Sequence, residues 1–218
     1  MAKEVEKTKC TVISGAPNDD LDFIRDHIDL NSFIIAADSG YLKCKEIGIR
    51  PDEIIGDYDS AERPDMEMCA NRVFLDVEKE HTDTFAAVRS AVFSNYKEIV
   101  IFGAIGSRVD HTYSNILCLD FCKKHGVKCT ILNKHNRISL VVGEATVNHD
   151  YQWFSLFAFI GECKDVKIDG AHYGADFYGA KSLDFSVSDQ FGQSNYVEDE
   201  FAKITCKSGT LLLIESND

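Results

Sequence analysis

The chain has 218 residues and a formal net charge of -13, with 44% hydrophobic and 27% charged residues. That balance suits a globular protein of one or two domains with a real core. It argues against a nucleic-acid partner, since the Lys and Arg residues are scattered and form no block to meet a phosphate backbone. No apolar run approaches the ~20 residues that cross a bilayer. The charged start Met1-Ala2-Lys3-Glu4-Val5-Glu6-Lys7 lacks the apolar core of a signal peptide. A cytoplasmic protein with no membrane partner is therefore expected.

In chain order, short apolar runs alternate with helical patterns over the first two-thirds. Cys10-Thr11-Val12-Ile13, Phe33-Ile34-Ile35-Ala36-Ala37, Ile99-Val100-Ile101-Phe102 and Lys128-Cys129-Thr130-Ile131-Leu132 predict buried strands. Helices are expected near residues 19–28, 40–47, 84–94 and 111–125, the last because Tyr113, Ile116, Leu119 and Cys122 share one helical face. Strands separated by helices imply parallel βαβ crossovers and a mainly parallel sheet, an α/β domain over residues 1–140. Beyond about Ser139 the texture changes to short β-rich runs at 141–142, 153–159, 166–168, 183–187, 201–206 and 210–214. That pattern predicts an all-β sandwich or barrel over residues 141–218. Lys207-Ser208-Gly209-Thr210 reads as a hairpin turn.

The eight cysteines contain no C-x-x-C pair and sit in apolar company. Cys118 and Cys122 lie four apart on an expected helix, but no second pair has zinc-like spacing. They are read as reduced, buried thiols.

Chemistry concentrates where strands end. Ile54-Ile55-Gly56-Asp57-Tyr58-Asp59-Ser60 carries an apolar strand into two aspartates. Ligands of open α/β sheets collect beyond the carboxyl ends of strands. Residues two apart on an extended segment point the same way, so both carboxylates can reach one Mg²⁺, which takes hard oxygen ligands. The alternative is a solvated Asp-rich turn. Asp38 and Asp83 also stand at strand-to-helix transitions, where each alone suggests a helix N-cap. Several such carboxylates on one rim would repel one another unless a cation sat among them. In Gly103-Ala104-Ile105-Gly106-Ser107-Arg108-Val109-Asp110-His111, the glycines allow close backbone approach to a phosphate. The following helix start favours anions, and Arg108 offers a fork of donors. Neither the P-loop nor the Rossmann fingerprint is present. Gly192-Gln193-Ser194-Asn195 reads on its own as a loop.

Together these segments resemble thiamine pyrophosphokinases, also called thiamine diphosphokinases. The resemblance runs through Ala37-Asp38-Ser39-Gly40, Pro51-Asp52, Gly56-Asp57-Tyr58-Asp59-Ser60, Glu78-Lys79-Glu80-His81-Thr82-Asp83 and the Gly103–His111 segment with Asn115 behind it. It closes with Ser194-Asn195 and the strand Thr210-Leu211-Leu212-Leu213-Ile214. Ser39 and Ser107 stand where the family usually has Gly, and Glu80 where it usually has Asp. The resemblance implies transfer of the pyrophosphoryl group of ATP to thiamine, leaving AMP. It implies a Mg²⁺ site and catalytic roles for Asp57, Asp59 and Asp83, and an ATP site from Asp38, Gly103, Gly106, Arg108, Asp110, His111 and Asn115. It also implies thiamine contacts from Ser194 and Asn195, with an aromatic such as Phe191 or Tyr196 beside the pyrimidine. A homodimer is implied, each active site shared between the first domain of one subunit and the second of its partner. Two rival readings are a D-x-D metal-dependent nucleotide-sugar transferase and a non-enzymatic thiamine or nucleotide sensor.

Overall fold

The structure is a computed structural model that describes residues 8–17, 20–57, 68–69, 71–76 and 80–218. It divides into two compact units, residues 1–134 and 135–218. The division falls a few residues before the expected 140/141 boundary. The cause is a strand over Asn136–Val141, which pairs antiparallel with the C-terminal strand and so belongs to the second unit.

In the first unit, β1 (Lys9–Ile13), β2 (Phe33–Ala37), β3 (Glu53–Gly56), β4 (Asn71–Phe74), β5 (Glu98–Phe102) and β6 (Lys128–Leu132) alternate with four helices. These are α1 (Leu21–His27), α2 (Gly40–Glu46), α3 (Asp83–Phe93) and α4 (Val109–Lys124). All pairings within the sheet are parallel, in the order β4-β3-β2-β1-β5-β6. Ile13, Ile34, Ala36, Ile54 and Phe102 cluster with Ile24 and Ile28 of the α1 segment and with Tyr41 and Cys44 of α2. Their strand neighbours Val12, Ile35, Ile55 and Ile101 point the other way and are equally buried, beneath α3 and α4. Both faces are thus covered, which is why these strands read as continuous apolar runs rather than alternating ones. β4 was not expected from the sequence. It is a short edge strand with mostly exposed side chains, so it carries no apolar pattern.

The strand order sets the site. From β1 the chain winds outward through β2, β3 and β4, then returns to lay β5 and β6 on the opposite side of β1. The direction of winding reverses between β1 and β5, and the crevice beyond their carboxyl ends is where open α/β sheets bind ligands.

The second unit holds two antiparallel sheets. One contains β7 (Asn136–Val141), β13 (Leu211–Ser216) and β9 (Trp153–Ala158) in that order. The other runs β11 (Leu183–Phe185), β10 (Cys163–Asp169), β12 (Ala202–Ser208), β8 (Glu144–Val147). Side chains from both sheets share one core, including Val141, Phe154, Leu156 and Leu213 from the first and Val166, Phe185, Ile204 and Cys206 from the second. This is the expected sandwich. The expected hairpin at residues 207–210 is corrected: β12 and β13 lie in different sheets, so the turn carries the chain across the sandwich. Gly209 takes φ 99° there, with no room for a Cβ against the Glu162 carbonyl and Cys163.

All eight cysteines are buried free thiols, as their apolar settings predicted. Burial pushes Cys44 and Cys118 up to about 12. No helix among the described residues is long and apolar enough to cross a membrane.

Candidate active site

A cleft of about 770 Å³ opens at the switch point of the first unit. Its walls are the ends of β1, β2, β3 and β5 with the starts of α3 and α4. Asp38, Asp57 and Asp83 all face it, and one carboxylate oxygen from each lies within 4.8 Å of the others. All three are half-buried. Neither Asp38 nor Asp83 occupies a helix N-cap position. α3 is capped by Thr82, whose hydroxyl accepts from Phe85 N at 3.2 Å, which leaves Asp83 as the first helical residue. α2 has Ser39 as its N-cap, without a side-chain capping bond, and Asp38 precedes it.

Asp38 adopts φ 46°, a left-handed conformation uncommon outside glycine. Its amide donates to Ile55 O at 2.8 Å, which ties the end of β2 to the end of β3 beside Asp57. Non-glycine residues held this way cost energy and collect at functional sites. Asp59 lies outside the described residues, as do Tyr58 and Ser60.

Across the cleft, Gly103 follows β5 with φ 68°, and a Cβ there would collide with the Ser14 carbonyl. Ser14 N donates to Phe102 O at 2.8 Å and Ala16 N to Gly103 O at 3.0 Å, so the loops after β1 and β5 are laced together. Of the two glycines, Gly106 lines the cleft, while Gly103 packs against Ser14 outside the lining. Asn115, buried on α4 and lining the cleft, donates to Ala104 O at 2.8 Å and so fixes the β5 loop. Arg108 and His111 line the mouth and are exposed. Arg108 forms an ion pair with Asp110 at 2.6 Å. That partner raises the guanidinium pKa and lowers the Asp110 carboxyl. Asp110 is thereby placed as a partner of Arg108 at the first turn of α4.

Two features were missed in the sequence. The loop Ser14-Gly15-Ala16-Pro17 lines the cleft, and it follows β1 as Asp38 follows β2 and Asp57 follows β3. Lys43, on α2, donates its ammonium to Ala16 O and reaches the space beside Gly103. A lysine in mid-helix gives no local signal of such a position.

In the second unit, Asn195 is buried, and both ends of its side-chain amide are bonded to the framework. Its amide oxygen accepts from Tyr173 N and Tyr196 N, both at 2.9 Å, and its nitrogen donates to Tyr173 O at 3.2 Å. Ser194 is exposed, with φ 53° and its amide donating to Ser155 Oγ at 3.1 Å. Tyr196 stacks on His172 at 4.8 Å, with Trp153 edge-on at 5.9 Å, while Phe191 meets Tyr178 edge-on at 5.7 Å.

The sequence model for the thiamin pyrophosphokinase catalytic domain matches residues 24–131, nearly all of the strands and helices that build this cleft. A thiamine pyrophosphokinase of Bacillus subtilis is 25% identical over 95% of this chain and 98% of its own length. The chain belongs to the thiamine pyrophosphokinase family. Solved structures agree on the fold. The thiamine pyrophosphokinase of Bacillus subtilis superposes with a TM-score of 0.84 at 22% identity, covering 96% of this chain and 99% of that one. That of Geobacillus thermodenitrificans gives 0.83 at 21% identity, over 96% and 98% of the two chains. The enzyme from Candida albicans gives 0.76 at 16% identity, over 97% and 90%. Family membership favours neither the nucleotide-sugar transferase nor the sensor.

Proposed function

We propose that this thiamine pyrophosphokinase family member transfers the pyrophosphoryl group of ATP to the hydroxyl of thiamine. The observation that carries the reading is the convergence of Asp38, Asp57 and Asp83 on a switch-point cleft that the glycine-bearing loop after β5 also lines. In the proposed reaction the thiamine hydroxyl oxygen attacks the β-phosphorus of ATP. The bond from that phosphorus to the oxygen bridging it to the α-phosphate breaks, and AMP leaves with the oxygen. The hydroxyl proton passes to a carboxylate, Asp83 or Asp59.

The donor set fits magnesium. Oxygens sharing an ion at 2.0–2.1 Å sit roughly 3–4 Å apart, and three carboxylate oxygens within 4.8 Å of one another are close to that. Asp57 and Asp83 would hold the ion, with Asp59 completing the set from the sequence pattern and Asp38 alongside. Bound there, it would offset the charge of the triphosphate in a chain whose net charge is -13. The chain's own part is positional. The Gly103–Gly106 backbone and Arg108 take phosphate oxygens, and the laced loops keep their donors aimed before substrate arrives. Positioning and electrostatics supply most of the acceleration in phosphoryl transfer. Swinging toward a phosphate, Arg108 would exchange one anionic partner for another, with Asp110 holding it ready.

On the second unit, the exposed Ser194 hydroxyl and the aromatic faces of Tyr196 and Phe191 suit the pyrimidine ring and cationic thiazolium of thiamine. Asn195 supports this surface from beneath. A homodimer and a cytoplasmic home complete the proposal; eight unpaired thiols suit a reducing compartment.

Incubation with ATP, thiamine and Mg²⁺ should yield AMP and thiamine diphosphate in equal amounts. Asp57→Asn and Asp59→Asn should abolish both while circular dichroism stays unchanged. Near-normal AMP formation by both variants would overturn the metal assignment, and no product from the parent chain would overturn the reaction.

A further inference from the structure

Asp83 is the first residue of α3, so its position in the carboxylate cluster depends on where that helix begins. The next residue, Thr84, turns inward and is buried. Its hydroxyl is hydrogen-bonded to the hydroxyl of Ser14, also buried, across 70 residues of sequence. Ser14 is in turn pinned by its amide to Phe102 O at the end of β5. Thr82 satisfies the helix's own end through Phe85 N, so the Ser14–Thr84 bond is not needed as a cap. It joins the helix start to the floor of the switch-point crevice.

We infer that Ser14 and Thr84 are positioning residues: their hydroxyl pair fixes the register of α3 and thereby sets Asp83 against Asp38 and Asp57 for cation binding. This rests on the proposed magnesium site. The physical ground is that partners behind metal ligands hold those ligands in the binding geometry, and a ligand on an unanchored helix start drifts with it. A packing role alone would be served equally well by an isosteric apolar side chain at residue 84. The hydroxyl matters only if direction matters.

The test uses the full chain and Mn²⁺ as a paramagnetic probe, titrated by electron paramagnetic resonance. Thr84→Val keeps the shape and removes the bond. It should retain the parent's circular dichroism and bind Mn²⁺ roughly tenfold more weakly, the lower end of what such supporting contacts contribute. Thr84→Ser should restore the affinity. In the coupled assay the Mg²⁺ concentration for half-maximal rate should rise in step, with KM for thiamine unchanged. If Thr84→Val fails to fold, Ser14→Ala carries the same test from the other side. Parent-like Mn²⁺ affinity in the folded variant, or no Mn²⁺ binding by the parent chain, overturns the inference. A parent chain that makes AMP from ATP and thiamine while Mn²⁺ binding ignores residue 84 sinks the inference alone. One that shows the residue-84 dependence without making AMP sinks the reaction alone.

Discussion

Gly56 and Asp38 meet backbone to backbone: a Cβ on Gly56 would stand 3.0 Å from the Asp38 Cα and 3.2 Å from its amide nitrogen. The glycine lets the end of β3 close against the strained turn after β2, so that Asp57 arrives beside Asp38. Gly56→Ala should therefore push the two carboxylates apart. A displacement of about 1 Å at a reacting centre can cost about 100-fold in rate. Overpacking of this kind costs about 1–3 kcal/mol in stability. We expect kcat to fall by roughly 100-fold and the protein to remain folded, as read by the coupled assay and thermal melting. A variant with parent-like kcat would show that Asp38 need not lie where Gly56 holds it.

Ser194 and Asn195 are neighbours with separable roles. Asn195→Ala removes the acceptor for two backbone amides and the donor to Tyr173 O in a buried place. Stranded polar groups of this sort make the expected loss about 3 kcal/mol, measured by urea unfolding. Ser194→Gly removes an exposed hydroxyl at a left-handed position that glycine adopts freely. Its melting temperature should stay level or rise slightly, while KM for thiamine rises roughly three- to tenfold, the equivalent of one neutral hydrogen bond. Unchanged KM in Ser194→Gly would remove Ser194 from the thiamine site.

The sequence carried the parallel sheet and the site's carboxylates for the same reason. Strands buried on both faces write long apolar runs, and an aspartate at the end of such a run is conspicuous. β4 and β8 write no such run, being short with mostly exposed or half-buried side chains, and only strand pairing reveals them. The turn at residues 207–210 has hairpin chemistry. Which sheet each flanking strand joins is decided by the shared core, since Ile204 and Leu213 both point into it from opposite sides. Ser14, Thr84 and Lys43 are ordinary residues locally and acquire their roles from partners 70 residues away or on another loop. The Ser194-Asn195 pair reads locally as a loop, and the framework duty of Asn195 emerges only with its buried amide contacts.

The thiols offer a check on the core that is independent of activity. All eight are buried, and burial raises the pKa of Cys44 and Cys118 to about 12, so little thiolate exists at neutral pH. A disulfide-exchange reagent should find almost no reactive thiol in the native protein and all eight after denaturation. Several thiols reacting rapidly without denaturant would mean that the core opens locally.

Glu53 sits on β3 at only 9% exposure, accepting from Asn71 Nδ2 at 3.2 Å. Burial raises its carboxyl above the ordinary 4.5, with the Ser90 side chain pulling the other way. The sign follows from linkage. A carboxyl with a raised folded-state pKa leaves stability intact below its unfolded pKa, where both states are protonated. That stability is lost as pH rises through the folded pKa, because the native state must then ionise at a cost the unfolded chain does not bear. Glu53→Gln removes the charge and keeps the shape. Its melting temperature should exceed the parent's at about pH 7.5, and the gap should close as pH falls toward about 4. A gap that persists undiminished at low pH would come from the amide's hydrogen bonds, and burial of charge would not be what Glu53 contributes to this edge of the sheet.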